Sequence, residues 1–158
     1  MRAYADSSFL LRLVTGESGT EEAVAEYRHL DRPPLFYLPL HALEVENAIH
    51  QRAFHERRSR PSGERAQIRR ARDAALARLE RYRQRGAFLE VALDMDPALD
   101  RARELSAAHT DRLGARAIDL LHVACALMLE SEVFLTFDER QSELAKAERL
   151  PVPDLGRL

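Results

Sequence analysis

The chain has 158 residues, which is the length of one domain and enough for a sizeable hydrophobic core. Hydrophobic residues make up 46% and charged residues 32%, a balance that is typical of a soluble globular domain and argues against a disordered chain. The formal net charge of −2 hides an uneven distribution, because residues 50–86 carry 12 arginines against four acidic residues, while the rest of the chain has a net charge of −10.

The N-terminal part of the chain predicts two short strands, each followed by a helix. Residues 2–5 form an extended segment that stops at Asp6, and the Asp-Ser-Ser sequence that starts there is typical of a helix N-cap. Apolar residues then recur at helical spacing up to a break at residues 16–19. The remaining predicted elements here are a helix from Thr20 to about Leu30, a strand at 35–38 and a helix from Leu40 toward Arg57.

The arginine-rich middle predicts a helical hairpin, at about residues 50–86, that protrudes from the rest of the domain. The turn is expected at Arg60-Pro61-Ser62-Gly63, where Pro and Gly interrupt the helical pattern. The second helix of the hairpin is expected from Glu64 to Arg85, with Gly86 closing it. The hairpin has three open interpretations: contact with RNA phosphates, a solvated helical pair, or packing against a second subunit.

The C-terminal part predicts further strands separated by helices. The predicted elements are a strand at 87–93, a helix from Asp96 to about Ala108, an apolar helix at 118–129, a strand at 132–136, a helix at 139–148 and a short fifth strand at 151–152. Strands that alternate with helices cannot pair as tight hairpins, so crossover connections and a parallel sheet are expected. The predicted fold is therefore a three-layer α/β/α sandwich with about five parallel strands, in a single domain that spans residues 1–158.

Four acidic residues fall at the edge where the strands of such a sheet end. Asp6 follows the first strand, Asp138 follows the fourth, and Glu44 lies early in the helix after the second. Asp119 lies near the start of a helix that is otherwise almost entirely apolar, where an unpaired charge is costly. Taken alone, each acid is also explained as a helix cap or a solvent-facing residue. Taken together, they would raise one another's pKa, which a divalent cation such as Mg²⁺ or Mn²⁺ would offset.

Four segments carry a resemblance to a known family. They are Tyr4-Ala5-Asp6-Ser7-Ser8, Leu40-His41-Ala42-Leu43-Glu44-Val45-Glu46-Asn47-Ala48, Ile118-Asp119-Leu120-Leu121-His122-Val123-Ala124 and Leu135-Thr136-Phe137-Asp138. In this order they resemble the PIN-domain ribonucleases and, more narrowly, the VapC-type toxins of bacterial toxin–antitoxin pairs. Glu44 is chosen over Glu46 because Asn47-Ala48 then fits the family's Glu-x-x-Asn-Ala pattern.

The resemblance implies a catalytic pocket and a reaction. Its acids, Asp6, Glu44, Asp119 and Asp138, would hold one or two Mg²⁺ ions, with Mn²⁺ as the alternative, and no other cofactor. The hydroxyls of Ser7 and Thr136 would lie beside the pocket as supporting groups. The implied activity is cleavage of RNA phosphodiesters by metal-activated water, which leaves a 3′-hydroxyl and a 5′-phosphate. His122, one helical turn after Asp119, is favoured as a packed helix histidine over a hydrogen-bonding group of the pocket.

The resemblance also implies partners and a location. A cognate antitoxin protein, an RNA substrate and a second copy of the chain in a homodimer are expected, in the cytoplasm. The single cysteine, Cys125, excludes an intramolecular disulfide and suits a reducing compartment. No signal peptide and no membrane span are expected, because charged and polar residues interrupt every apolar run.

Other function classes fit the residues less well. Two alternatives keep the fold: a stand-alone RNA-processing nuclease and a non-catalytic binding module. A haloacid-dehalogenase-like phosphatase needs a second acid two residues after Asp6, and that position is Ser8. A receiver domain needs a late lysine in a fitting motif, whereas Lys146 lies inside the last predicted helix. A dinucleotide-binding domain needs a glycine-rich first turn, which is absent from the sequence.

Overall fold

A parallel β-sheet forms the centre of the computed structural model, which describes residues 1–16 and 19–155. The strands that it describes are β1 (Ala3–Ala5), β2 (Leu35–Tyr37), β3 (Phe88–Glu90) and β4 (Val133–Leu135). Their order across the sheet is β3-β2-β1-β4, and every neighbouring pair is parallel. The predicted parallel α/β sheet is therefore confirmed.

Helices connect the strands and cover both faces of the sheet. In the described part of the chain they are α1 (Ser7–Thr15), α2 (Thr20–His29), α3 (Pro39–Ser59), α4 (Arg65–Gln84), α5 (Met95–Leu113), α6 (Ala117–Met128) and α7 (Glu139–Ala147). Helices α1 to α4 form one layer, and α5 to α7 form the other. Among these helices, none is long and apolar enough to cross a bilayer.

The strands divide their side chains between two hydrophobic cores, because successive residues of a strand point to opposite faces of the sheet. In β1, Ala3 and Ala5 belong to the core under α1 to α4, whereas Tyr4 belongs to the core under α5 to α7. The same alternation holds in β4, where Phe134 shares the core of Tyr4 and the two rings stack. Burial on both faces confirms the predicted three-layer sandwich.

The sheet has four strands in the described residues, so the prediction of a fifth strand at residues 151–152 is wrong. The backbone N–H of Phe134 donates to the carbonyl of Pro151 over 2.9 Å, which is the start of a strand pairing. Pro151 and Pro153 have no N–H, so this segment cannot continue the ladder beside β4. The segment therefore contacts the edge strand without joining the sheet.

Two helices end at a glycine in the left-handed conformation, and one of these helices is longer than predicted. Helix α5 runs to Leu113, past the predicted end at about Ala108, because Gly114 (φ 61°) supplies the left-handed C-cap. Gly16 (φ 72°) ends α1 in the same way. The predicted break at 16–19 includes residues 17 and 18, which lie outside the described residues. Strand β3 ends at Glu90, three residues before the predicted end.

The predicted hairpin is formed by α3 and α4, with a short 3-10 turn at Ser62–Glu64 between them. Both helices pack against α1, and Ala75 and Leu79 of α4 share a hydrophobic core with Leu13 and Val14 of α1. Ile68 is the buried residue of α4 nearest the turn. The inner part of the hairpin therefore belongs to the helical layer, and its arginines project from a packed helix pair.

A buried histidine lies at the junction of the sheet and the hairpin. His41, in the first turn of α3, is fully buried, and its Nδ1 accepts a hydrogen bond from the Leu38 backbone N–H over 2.9 Å. Burial, and then the charge of neighbouring His122, hold the pKa of His41 well below its ordinary value. The native protein therefore keeps this ring uncharged at a pH where an exposed histidine takes up a proton.

Replacing His41 with asparagine (His41→Asn) is expected to flatten the pH dependence of stability, while Asn keeps an acceptor for the Leu38 N–H. Below about pH 6.5 the unfolded wild type binds a proton at this histidine and the native state does not, so stability is full above that pH and falls below it. This group contributes a slope of up to about 1.4 kcal/mol per pH unit. Urea unfolding of both proteins across this pH range measures the difference, and parallel profiles would contradict the prediction.

Candidate active site

The carboxylate of Asp6 is fully buried at the N-cap of α1, directly after β1. Its Oδ1 accepts hydrogen bonds from the Ser8 hydroxyl (2.7 Å) and the Phe9 N–H (3.0 Å), and its Oδ2 accepts one from the Thr136 hydroxyl (2.8 Å). Burial raises the pKa of Asp6, although these bonds and the charge of His122 act in the opposite direction. A nearby positive charge would therefore stabilise its ionised form further.

Two hydroxyl groups join the ends of β1 and β4. Thr136 donates to Asp6 and accepts from the Asp138 backbone N–H over 2.9 Å, so a single oxygen connects the two acidic residues. Ser8 makes an equivalent link, because it donates to Asp6 and accepts from the Phe137 N–H over 2.9 Å. Asp138 itself caps α7, where its Oδ1 accepts from the Gln141 N–H.

A guanidinium group lies between Asp119 and Asp138. The backbone N–H and Nε of Arg116 donate to Oδ2 of Asp119 over 2.9 and 3.0 Å, and Nη2 donates to Oδ1 over 2.9 Å. The same Nη2 donates to Oδ2 of Asp138 over 2.8 Å. Asp119 is fully buried, whereas the Arg116 side chain is 55% exposed. Arg116 therefore neutralises a buried carboxylate from the solvent side, helped by a 3.3 Å hydrogen bond from the Gln141 side chain.

Glu44 belongs to a second hydrogen-bonded group on the inner side of the site. Its Oε2 accepts from the Ser7 hydroxyl (2.6 Å) and contacts Nε2 of His122 (2.5 Å), whose Nδ1 is 2.9 Å from the hydroxyl of Tyr4. Burial raises the pKa of Glu44, but the hydrogen bond and charge of His122 and the Ser7 hydroxyl outweigh it, so the pKa is lowered. Because an ionised carboxylate only accepts, Nε2 of His122 must be the donor.

The four acids named from the sequence lie in two neighbouring hydrogen-bonded groups, which together are called the acidic network. Thr136 links Asp6 to the backbone of Asp138, and Arg116 links the side chains of Asp119 and Asp138. Glu44 belongs to the other group, with Ser7 and His122, and is close enough for the charge of Asp119 to act on it. The predicted supporting groups, Ser7 and Thr136, each donate to one of the acids. Glu46, the alternative to Glu44, is exposed on α3.

Sequence reasoning missed several members of the network, namely Ser8, Arg116 and Gln141. Arg116 had a signal, since it precedes Asp119 by three residues, which is one helical turn. His122 is buried, as the favoured interpretation expected, but its hydrogen bond to Glu44 makes it more than a packing residue. Its neighbours come from β1 and α3, so its own sequence context could not show this contact.

The carboxylate and hydroxyl oxygens of this network suit a hard divalent cation, because such cations prefer oxygen ligands. The pairing of Asp119 and Asp138 with Arg116 shows directly that these two acids attract a shared positive charge. Within residues 1–16 and 19–155, no three His, Cys, Asp or Glu side chains already converge as a metal site. A cation that binds Asp119 therefore competes with Arg116 for the same oxygens.

The sequence matches a known protein family. A family model described as PIN domain matches residues 3–147 of the chain, which includes all four strands and all four acids of the network. No curated protein matches the sequence.

Replacing Arg116 with alanine (Arg116→Ala) is expected to lower the free energy of unfolding by about 1–3 kcal/mol in metal-free buffer, because buried Asp119 loses its charged partner. Mn²⁺ is expected to restore part of this loss, since a cation can take the place of the guanidinium and stabilises the native state by mass action. Urea unfolding with and without MnCl₂ measures both effects.

The matched control is Arg103→Ala, which removes an arginine from an exposed pair with Asp100 on α5. Its stability is expected to change by less than about 1 kcal/mol, and Mn²⁺ should act on it as on the wild type. Equal Mn²⁺ stabilisation of the Arg116 and Arg103 variants would rule out competition between Arg116 and the cation.

Proposed function

The chain belongs to the PIN-domain family, whose members are generally nucleases, and on that premise we propose that it is a metal-dependent endoribonuclease. The observation that supports this most directly is the network of four acids at the edge of the sheet, in which Asp119 and Asp138 share one cationic group. In open parallel sheets, ligands bind at this edge, where the strands end. Metal-assisted cleavage of a phosphodiester uses such a cluster of carboxylates close to solvent.

The four acids would hold the cation, with Asp6 and Asp119 as the principal ligands and Glu44 and Asp138 completing the set. When bound, Mg²⁺ or Mn²⁺ would supply Lewis-acid chemistry, by neutralising charge on the phosphodiester and lowering the pKa of water. The protein's own groups keep the acids in place: Thr136 orients Asp6, and Ser7 and His122 orient Glu44. His122 also keeps Glu44 ionised by donating to it. The products would carry a 3′-hydroxyl and a 5′-phosphate.

The outer part of the hairpin supports an anionic substrate. Among the described residues, the arginines of this region without a carboxylate partner are Arg57, Arg58, Arg65, Arg69 and Arg70, and all are exposed. Exposed guanidinium groups on one projection attract RNA phosphates and raise the rate of encounter. We therefore include RNA, rather than a small phosphoester, in the proposal.

Substitution of the acids is expected to abolish cleavage without unfolding the protein. Asp119→Asn and Glu44→Gln keep the size of each side chain and should lower the cleavage rate of a labelled RNA at least about 100-fold. Glu46→Gln is the matched control, because this exposed residue lies two positions from Glu44 on the same helix. Chelation of divalent metal should stop the wild type. Cleavage at wild-type rates by the Asp119 variant would refute the assignment of the site.

We also propose a narrower role, as the toxin of a type II toxin–antitoxin pair that acts in the cytoplasm. This rests on the resemblance of the segments around Glu44 and Asp119 to VapC-type toxins. The partner would be an antitoxin protein, and the chain would form a homodimer. An apolar groove beside Leu99, which is 48% exposed on α5, supports a protein-binding surface on the face of α5 and α6.

Gene neighbourhood and growth provide the test of the toxin role. A small open reading frame directly upstream, encoding a DNA-binding protein, is expected, and its product should co-purify with this chain. Expression of the wild type alone should arrest growth, whereas the Asp119→Asn variant should not. RNA cleavage in vitro without growth arrest, and without such a neighbour, would favour the stand-alone RNA-processing nuclease.

A further inference from the structure

A cavity of about 540 Å³ lies where the strands of the sheet begin, whereas the acidic network lies where the strands end. Pro34 and Ala87, which line it, come just before β2 and β3, whereas Asp6 and Asp138 come just after β1 and β4. In a parallel sheet these two groups of residues lie at opposite edges. The arginines that line the cavity are Arg28, Arg32, Arg78, Arg81 and Arg85, and no acidic residue in the described ranges lines it.

Three of the cavity arginines, two on α4 and one at its C-cap, lie on one face of the helix. Arg78, Arg81 and Arg85 are separated by three and four residues, the spacing at which helical side chains are neighbours. Like charges at this spacing destabilise an isolated helix by a few tenths of a kcal/mol per pair, about as much as opposite charges would stabilise it. The sequence therefore places three like charges side by side at the end of α4.

The carboxylates of the described residues do not pair with this group of arginines. Arg78 donates to the backbone carbonyl of Val14 over 2.8 Å. In the described part of the chain, no carboxylate forms an ion pair with Arg28, Arg32, Arg81 or Arg85. Helices α2 and α4 both end at the cavity, and each C-terminus carries a dipole equivalent to about half a negative charge. Two helix ends therefore offset about one of the five positive charges.

Arg32 reaches the cavity through an unfavourable backbone conformation. Asp31 (φ 62°) and Arg32 (φ 51°) are consecutive non-glycine residues in the left-handed region, which costs each of them about 1 kcal/mol or more. A hydrogen bond from the Arg32 N–H to the carbonyl of Tyr27, over 2.9 Å, holds this turn. The strained turn places a fifth guanidinium beside the other four.

We propose that this cavity binds a phosphoryl group, carried by a nucleotide or by a nucleic-acid strand. The planar guanidinium fork pairs with two phosphate oxygens at once, and several forks around one cavity suit a doubly charged anion. Tyr27 and Tyr82 also line the cavity and add phenolic hydrogen-bond donors. Its volume lies within the range of about 300–1,000 Å³ that is usual for small-molecule sites. The site is separate from the proposed catalytic acids and does not depend on them.

The proposal is tested by direct binding in buffer with EDTA, so that no RNA is cleaved and the acidic network holds no metal. The titrants are inorganic pyrophosphate, adenosine 5′-monophosphate and a single-stranded oligoribonucleotide, measured by isothermal titration calorimetry. The test variant is Arg81→Ala with Arg85→Ala, and the control is Arg103→Ala with Arg112→Ala. All four arginines are exposed and both variants remove the same charge, but the control pair lies on α5, outside the cavity and outside the hairpin.

The wild type is expected to bind at least one phosphoryl titrant at one site. The cavity variant should weaken that binding at least about tenfold and the control less than about twofold, since a charge-assisted hydrogen bond contributes about 1.5–3 kcal/mol. If the oligoribonucleotide competes with pyrophosphate, the source is a nucleic-acid strand; if it does not, the source is a free nucleotide or phosphate. Equal weakening by both variants, or no saturable binding of any titrant, would overturn the proposal. Circular dichroism confirms that both variants fold.

Discussion

Two fully buried carboxylates, Asp6 and Asp119, impose the main constraint on this molecule. An ionised carboxylate that leaves water without compensation loses several kcal/mol, so each must be surrounded by donors. For Asp6 the donors come from α1 and from the residue after β4, which ties the ends of two neighbouring strands together. For Asp119 they come from Arg116 and from α7. The shape of this edge of the sheet follows from satisfying these two charges.

The same constraint links structure to the proposed chemistry. A site built from acids must be stable before any cation arrives, and the guanidinium of Arg116 meets that need at Asp119 and Asp138. The Arg116 side chain is 55% exposed, so the proposed cation would reach the same carboxylate oxygens from solvent. Glu44 has a different kind of partner, because buried His122 donates a hydrogen bond to it and lowers its pKa, which keeps the carboxylate ionised. The two groups of the network thus have different partners, a solvent-exposed guanidinium for Asp119 and Asp138 and a buried histidine for Glu44.

The net charge of −2 now has a spatial explanation. Acids collect where the strands end, arginines without carboxylate partners collect in the cavity at the opposite edge, and further arginines project from the hairpin. The net charge of the chain hides these regions because their charges cancel in the total, although each region creates its own local electrostatic field. Local composition was therefore informative where total composition was not. The run of arginines was visible in the sequence, but its division between a cavity and an exposed helix surface was not.

The sequence by itself determined the order of the elements, the parallel sheet and the candidate acids. The reason is that the spacing of apolar residues and the residues at helix caps are local signals, which do not depend on tertiary contacts. It did not show that the prolines at 151 and 153 would keep that segment out of the sheet, nor that Gly114 would let α5 run to its full length. Only the tertiary structure decided the distant partners: Arg116 with Asp138, His122 with Glu44, and Arg32 beside the cavity arginines of α4. The reason is physical, since these groups meet across elements far apart in the chain, and their pairing depends on burial and distance that no local pattern records.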